Sequence, residues 1–161
     1  MNILNRIFDS VDHILIIIAK LLLLAMVIIV STNVFMRYVL NSGIRWAEEI
    51  SLVCVVWFTF IALAHGVKEK LHINMNLLPA SIIRKFYKFF IISSNIIIFI
   101  VGYTMIYYGI KLVEVTSRSI LPASNLPAAV LYFPLILSGI LIIFNIMIDF
   151  LKLYRHREVQ D

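Results

Sequence analysis

Carboxylates are scarce in this chain, and none falls deep inside its long apolar stretches. Asp and Glu number 9 in 161 residues, and all charged residues together make up 14%. An apolar span without a central Asp or Glu offers no seat for a coupling ion and no paired carboxylates for acid–base chemistry. Cysteine is reduced to Cys54, so no internal disulfide can form and no redox chemistry is implied. The chain also lacks a phosphate-binding glycine loop, an internal repeat, a low-complexity tract and any clustered set of metal ligands. These gaps argue against an enzyme and against a bound cofactor or metal.

What is abundant is apolar sequence, at 62%. Four stretches, residues 14–36, 50–67, 89–110 and 128–148, are each long enough to cross a bilayer. A helix rises about 1.5 Å per residue, so about 20 residues cover the hydrocarbon core. The expected fold is all-α: one integral membrane domain over residues 1–161 with four transmembrane helices. The first stretch is too long for a signal-peptide core, contains Lys20 and has no small-residue cleavage site, so it is expected to be retained.

The net charge of +5 is unevenly placed. Ten of the 14 basic residues lie in the tails, at Lys20 or in the link 68–88; only Arg37, Arg45, Lys111 and Arg118 lie on the other side. Basic residues concentrate in cytoplasmic segments, which places both termini and the second link in the cytoplasm. The same asymmetry accounts for the basic character without a nucleic-acid partner.

Residues 2–13 are expected to lie along the interface before the chain turns into the membrane. Asp9, His13 and Lys20 share a helical stripe, but Lys20 is close enough to the interface to reach it by extending its side chain. In the third span Asn95, Gly102 and Gly109 recur at heptad spacing, as do Ser138 and Asn145 in the fourth; Ala62 and Gly66 form a small pair in the second. Small faces let membrane helices approach closely, so these are candidate packing positions, with Asn95 and Asn145 as interhelical hydrogen-bonders. Pro127 suits a helix's first turn, Pro134 is expected to bend the fourth helix, and Leu121-Pro122 with Leu126-Pro127 imply an extended third link.

The densest charged group surrounds the first hairpin: Arg37 and Tyr38, then Arg45, Trp46, Glu48 and Glu49. Local Arg–Glu pairing and interfacial anchoring explain it, and a docking surface for another protein is the sharper alternative. Glu48 and Glu49 point about 100° apart on a helix, which disfavours joint catalysis. Two histidines on facing helices could ligate haem; His13 and His65 fall at similar depth, whereas His72 and His156 do not lie in a span.

The run Asn33-Val34-Phe35-Met36-Arg37-Tyr38, then Trp46-Ala47-Glu48-Glu49, Trp57, His72-Ile73, Leu78-Pro79 and Leu126-Pro127 before a Pro134-bearing helix resembles the small (DctQ-like) membrane subunit of tripartite ATP-independent periplasmic (TRAP) transporters. The similarity spans nearly the whole chain. It implies a bacterial inner-membrane scaffold without chemistry of its own. It also implies two protein partners: a large sodium-coupled elevator subunit and a periplasmic binding protein that delivers an organic acid, such as a sialic acid or dicarboxylate. Membrane lipid is the third partner. Arg37, Trp46, Glu48, Glu49, Trp57 and His72 carry over as positions for hairpin geometry, docking or anchoring, and links 39–45 and 111–126 as places a binding protein could touch. A haem- or quinone-associated anchor of an oxidoreductase is the alternative, and a self-assembling channel a third reading.

Overall fold

The computed structural model describes the backbone of residues 2–69 and 80–158, and the side chains of residues 10–69 and 92–148. His72 and the pair Leu78-Pro79 lie outside the described residues, as does the Asp9 side chain. Four helices form: α1 Asn2–Val39, α2 Ala47–Lys68, α3 Ala80–Thr116 and α4 Phe133–Glu158. Segments of all four are long and apolar enough to cross a membrane. Among the described residues there is no strand, and the only β-type pairing is an isolated bridge between Ile120 and Pro127.

Two local expectations change. The N-terminal lead-in is not a separate interfacial element, because α1 runs unbroken for 38 residues, about 57 Å at the usual rise. Residues 2–13 contain no proline or glycine that would interrupt the helical hydrogen bonds, so the apolar run simply extends them. The fourth span, in turn, does not bend at Pro134. It opens as a 3-10 turn over Ala128–Leu131, with Pro127 extended before it, and α4 itself starts at Phe133. Pro134 therefore occupies a first turn, where a missing N–H breaks nothing.

The helices do not close into a bundle. Among the described residues α1 packs on α2 alone, α2 also packs on α4, and α4 packs on α3. The lateral order is thus α1–α2–α4–α3, a ribbon with α4 and α2 inside. Burial follows that order: 28% of the α4 span is buried but only 6% of the α1 span. The interior cluster is built from Ala64, Ile142 and Ile146, flanked by Val67, Ile98, Met105 and Leu141.

Several hydroxyl groups within the helices return to their own backbone. Thr59 donates to the Val55 carbonyl, Thr104 to Val101 and Ser138 to Leu135. Such local bonds satisfy polar groups where no water is at hand.

Candidate functional site

The ion pairs given by the described residues lie toward the two ends of the ribbon. One end carries the first link, residues 40–46, and the third link, residues 117–127. Here α1 finishes at Val39, and the Leu40 and Ser42 N–H groups fold back onto the Met36 carbonyl, with Asn41 in the left-handed region at φ 49°. An asparagine tolerates that conformation at less cost than most residues. The returning chain is caught by Asn33, whose buried side-chain oxygen accepts the Ile44 N–H at 2.8 Å. Arg37 then bridges to Glu48 at 2.9 Å, with both side chains mostly exposed, at 62% and 71%.

Glu49 does something different from its neighbour. Turned about 100° away on α2, it reaches the third link and accepts the Ala123 and Ser124 N–H groups and the Ser124 hydroxyl, at 2.7–3.2 Å. The link it holds is closed rather than simply extended. Leu121 and Leu126 pair through backbone, as do Ser119 and Ala128, while Asn125 turns the chain at φ 57°. Two adjacent glutamates thus tie α2 to two different places, the end of α1 and the third link, which sequence spacing alone could not assign.

Trp57 lies about two turns further along α2. Its indole N–H donates to the Val130 carbonyl at 2.9 Å, and its ring stacks on Phe133 at 6.2 Å between centroids. That contact fixes the 3-10 turn and the start of α4. Trp46, by contrast, remains 46% exposed and makes no such inward bond.

At the opposite end Asp12 of α1 is 13% exposed, and one of its oxygens receives both His65 Nδ1 at 2.9 Å and Lys68 Nζ at 3.0 Å. His65 and Lys68 are one turn apart on α2, so a single carboxylate meets both. Sequence reading missed this clamp by giving weight to His13, which is exposed on α1. The available signal was Asp12 itself, a carboxylate two residues before an apolar run. The two histidines matched in depth by the sequence are thus used differently: His65 pairs with Asp12, and His13 is exposed. Among the described residues no three His, Cys, Asp or Glu side chains come together as a metal site.

Between the ends, α3 and α4 meet through small residues. A Cβ at Gly102 would lie 3.0–3.1 Å from Ile143 and Ile142, and one at Gly109 only 2.8 Å from Ile136. The third contact, Gly139, is the tightest because its Cβ would sit 2.9 Å from the Gly102 carbonyl oxygen. Gly139 follows Ser138, which is 1% exposed and was the residue singled out in that span. Asn95 is buried and Asn145 half-buried, but neither forms a hydrogen bond to another helix among the described residues.

Comparison with known proteins identifies this architecture. Residues 26–156 match the family described as tripartite ATP-independent periplasmic transporters, DctQ component. A TRAP transporter small permease protein of Haemophilus influenzae is 26% identical over 136 residues, covering 83% of this chain and 82% of its own. A second small permease protein of that organism is 28% identical over 127 residues, 75% of each chain. The C4-dicarboxylate TRAP transporter small permease protein DctQ of Vibrio cholerae is 34% identical over 83 residues, 49% of this chain and 34% of its own. The family match covers most of the chain: the latter part of the first span, the other three spans, the link end and the glycine contact between α3 and α4. The chain therefore belongs to the DctQ family of TRAP transporter small membrane subunits and is a multi-pass protein of the bacterial inner membrane.

Proposed function

We propose that this subunit is the fixed scaffold of a sodium-coupled TRAP transporter, supporting a large elevator subunit while a periplasmic binding protein delivers an organic acid. The observation that carries the reading is the use of the charged side chains. Asp12, Glu48 and Glu49 all lie near the ends of membrane-crossing segments, and each ties one part of the chain to another. Glu49 and His65 are 16 residues apart on α2, about 24 Å along the axis. The stretch between holds apolar side chains, small residues, hydroxyls bonded to their own helix and the Trp57 indole, and no ionisable carboxylate, lysine, arginine or histidine. A moving, ion-coupled element needs polar groups at mid-depth. This chain instead fixes its ends, which suits a static role.

On this reading both termini face the cytoplasm, as the basic asymmetry indicates, and the link end faces the periplasm. Arg37, Trp46, Glu48 and Glu49 then hold or present a surface for the partner proteins. Relatives include one named for C4-dicarboxylates; a dicarboxylate or another organic acid such as a sialic acid is the substrate class proposed here. The large subunit and the binding protein are the components proposed to select it.

The test is reconstitution. With a sodium gradient and loaded binding protein, proteoliposomes holding this chain alone are expected to take up no substrate, and addition of the large subunit restores uptake. Sodium-dependent uptake by the isolated chain would refute the scaffold role. Orientation is checked with single cysteines: an impermeant thiol reagent outside intact cells labels Ser42→Cys and Ser119→Cys and spares Ser81→Cys.

A further inference from the structure

A cleft of about 570 Å³ opens at the link end, between the first and third links. Ile44, Arg45 and Trp46 line one wall, and Pro122, Ala123 and Asn125 the other. We propose that it binds the phosphodiester headgroup of a membrane phospholipid, with Arg45 as the cation that holds it. This assignment depends neither on which side of the membrane the cleft faces nor on the scaffold reading.

Both walls are fixed before any ligand arrives. Asn33 pins Ile44 through its N–H. Glu49 pins Ala123 and Ser124, and the Asn125 N–H closes onto the Leu121 carbonyl. A site already ordered loses less entropy when it is filled.

The polar groups left over are those a phosphodiester would use. Arg37 is engaged by Glu48, but Arg45 has no ion pair or hydrogen bond among the described residues, and the Asn125 side-chain amide is likewise unengaged. A guanidinium presents a fork of donors that matches phosphate oxygens. The Glu49 carboxylate is already engaged by the Ala123 and Ser124 donors.

Position selects an amphiphile over a soluble anion. The cleft sits where the apolar run of α2 begins; Trp46 in its wall is 46% exposed, and Tyr38 at the end of α1 and Ile120 in the third link are 79% and 65% exposed. Exposed aromatic and aliphatic side chains next to a free cation provide an interface for both parts of a lipid. An acidic protein surface would use the arginine but leave the apolar surround unmatched.

The full-length chain, stripped of lipid in a mild detergent, is titrated with phosphatidylglycerol and followed by native mass spectrometry. One saturable adduct is expected, weakened about tenfold by Arg45→Gln and largely kept by Arg45→Lys and by the control Arg118→Gln. Helical content by circular dichroism verifies that each variant is folded. Diacylglycerol with the same acyl chains is expected not to compete, and glycerol phosphate only weakly. Equal binding of diacylglycerol, or an adduct indifferent to Arg45→Gln, overturns the proposal. So does displacement by glycerol phosphate as effective as by lipid, which would make the cleft a soluble-anion site. Preferential displacement by a glutamate-rich peptide also overturns it, by reassigning the cleft to an acidic protein surface.

Discussion

The pair α1–α2 and the pair α3–α4 are both antiparallel neighbours in the same ribbon, yet they are held by different means. Polar clamps join α1 to α2 at its two ends: Asp12 with His65 and Lys68, and, some 30 Å away on α2, Arg37 with Glu48 and Asn33 with Ile44. Glycine joins α3 to α4, through close backbone approach at Gly102, Gly109 and Gly139. In lipid there is no hydrophobic gain from bringing two apolar helices together, so something else must hold them. A clamp acts at one point and leaves the middle tolerant of change. A glycine seam acts along its length and fails if one position grows.

That contrast predicts where the largest damage falls. Gly139→Leu is expected to separate α3 from α4, because even the first added carbon meets backbone: the Gly102 oxygen at 2.9 Å, as well as Ile106 at 2.8 Å. Overpacking of a tight contact typically costs about 1–3 kcal/mol, and Gly139→Ala falls in that range, with leucine beyond it. The seam is graded. Gly109 meets a side-chain carbon at 2.8 Å and backbone only at 3.4 Å, so Gly109→Ala costs less. Gly102→Ala, with isoleucine side-chain carbons 3.0–3.1 Å away, costs least. Thermal unfolding in detergent, together with disulfide trapping between cysteines placed on α3 and α4, measures the order. Equal stability for all three alanine variants would mean that the seam yields freely and the clamps carry the fold.

At the Asp12 end the expected loss is smaller and electrostatic. Asp12→Asn leaves Lys68 and His65 without the carboxylate they share. Each is less than a third exposed, at 25% and 29% for the side chains. Hydrogen bonds to charged groups contribute about 1.5–3 kcal/mol when well sheltered, and partial exposure lowers this to about 1–2 kcal/mol. The readout that separates a clamp from a general packing effect is the distance between spin labels on α1 and α2. It should broaden near residue 12 and stay unchanged near residue 33. An unchanged distance at both places would transfer the α1–α2 attachment to apolar contact alone.

The contrast also explains what could be read from sequence. Helix number and span positions were legible because each run is long and apolar, and lipid leaves the backbone little choice but helix. Gly102 and Gly109 were legible as a face because seven residues return to the same side of a helix. Gly139 was passed over, since its neighbour Ser138 fitted the heptad spacing to Asn145, and the glycine sits one position off. The partners of Glu49 were not legible at all: Ala123 and Ser124 lie 74 and 75 residues away, and nothing local encodes that pairing. The same holds for Asp12, whose partners are 53 and 56 residues distant. The open order α1–α2–α4–α3 was equally hidden. Apolar faces that would close a soluble bundle are free to meet lipid or another subunit here, so amphipathic patterning no longer dictates closure.

Glu49→Gln tests the tie between α2 and the third link without disturbing either helix pair. The amide keeps one acceptor oxygen but loses the charge and the second acceptor, so part of the bonding to Ala123 and Ser124 survives. Hydrogen exchange at those two backbone amides should speed up several-fold, while amides in the middle of α2 and α4 stay protected. If Ala123 and Ser124 exchange as slowly as before, the backbone closure of Ser119 with Ala128 and of Leu121 with Leu126 is sufficient for the loop.

The smallest effect is expected at Arg37. Its pair with Glu48 has good geometry at 2.9 Å, but both side chains are open to solvent, and exposed pairs contribute about 0.2–1 kcal/mol. With both side chains this exposed, little desolvation accompanies the pair, so removal of one partner leaves no buried charge behind. Arg37→Ala and Glu48→Gln should each lower the unfolding temperature by only a degree or two, and the double variant by no more than the sum less the coupling. The swapped pair, Arg37→Glu with Glu48→Arg, should return most of that loss because the geometry admits either polarity. Any larger consequence of these substitutions must therefore lie outside the isolated chain. Uptake and co-purification of the large subunit, measured side by side, locate it. Joint loss assigns Arg37 and Glu48 to assembly, and lost uptake with intact assembly assigns them to receiving the binding protein. Full activity in every variant leaves the pair as a local brace for the first link, already backed by Asn33 and the Ile44 N–H.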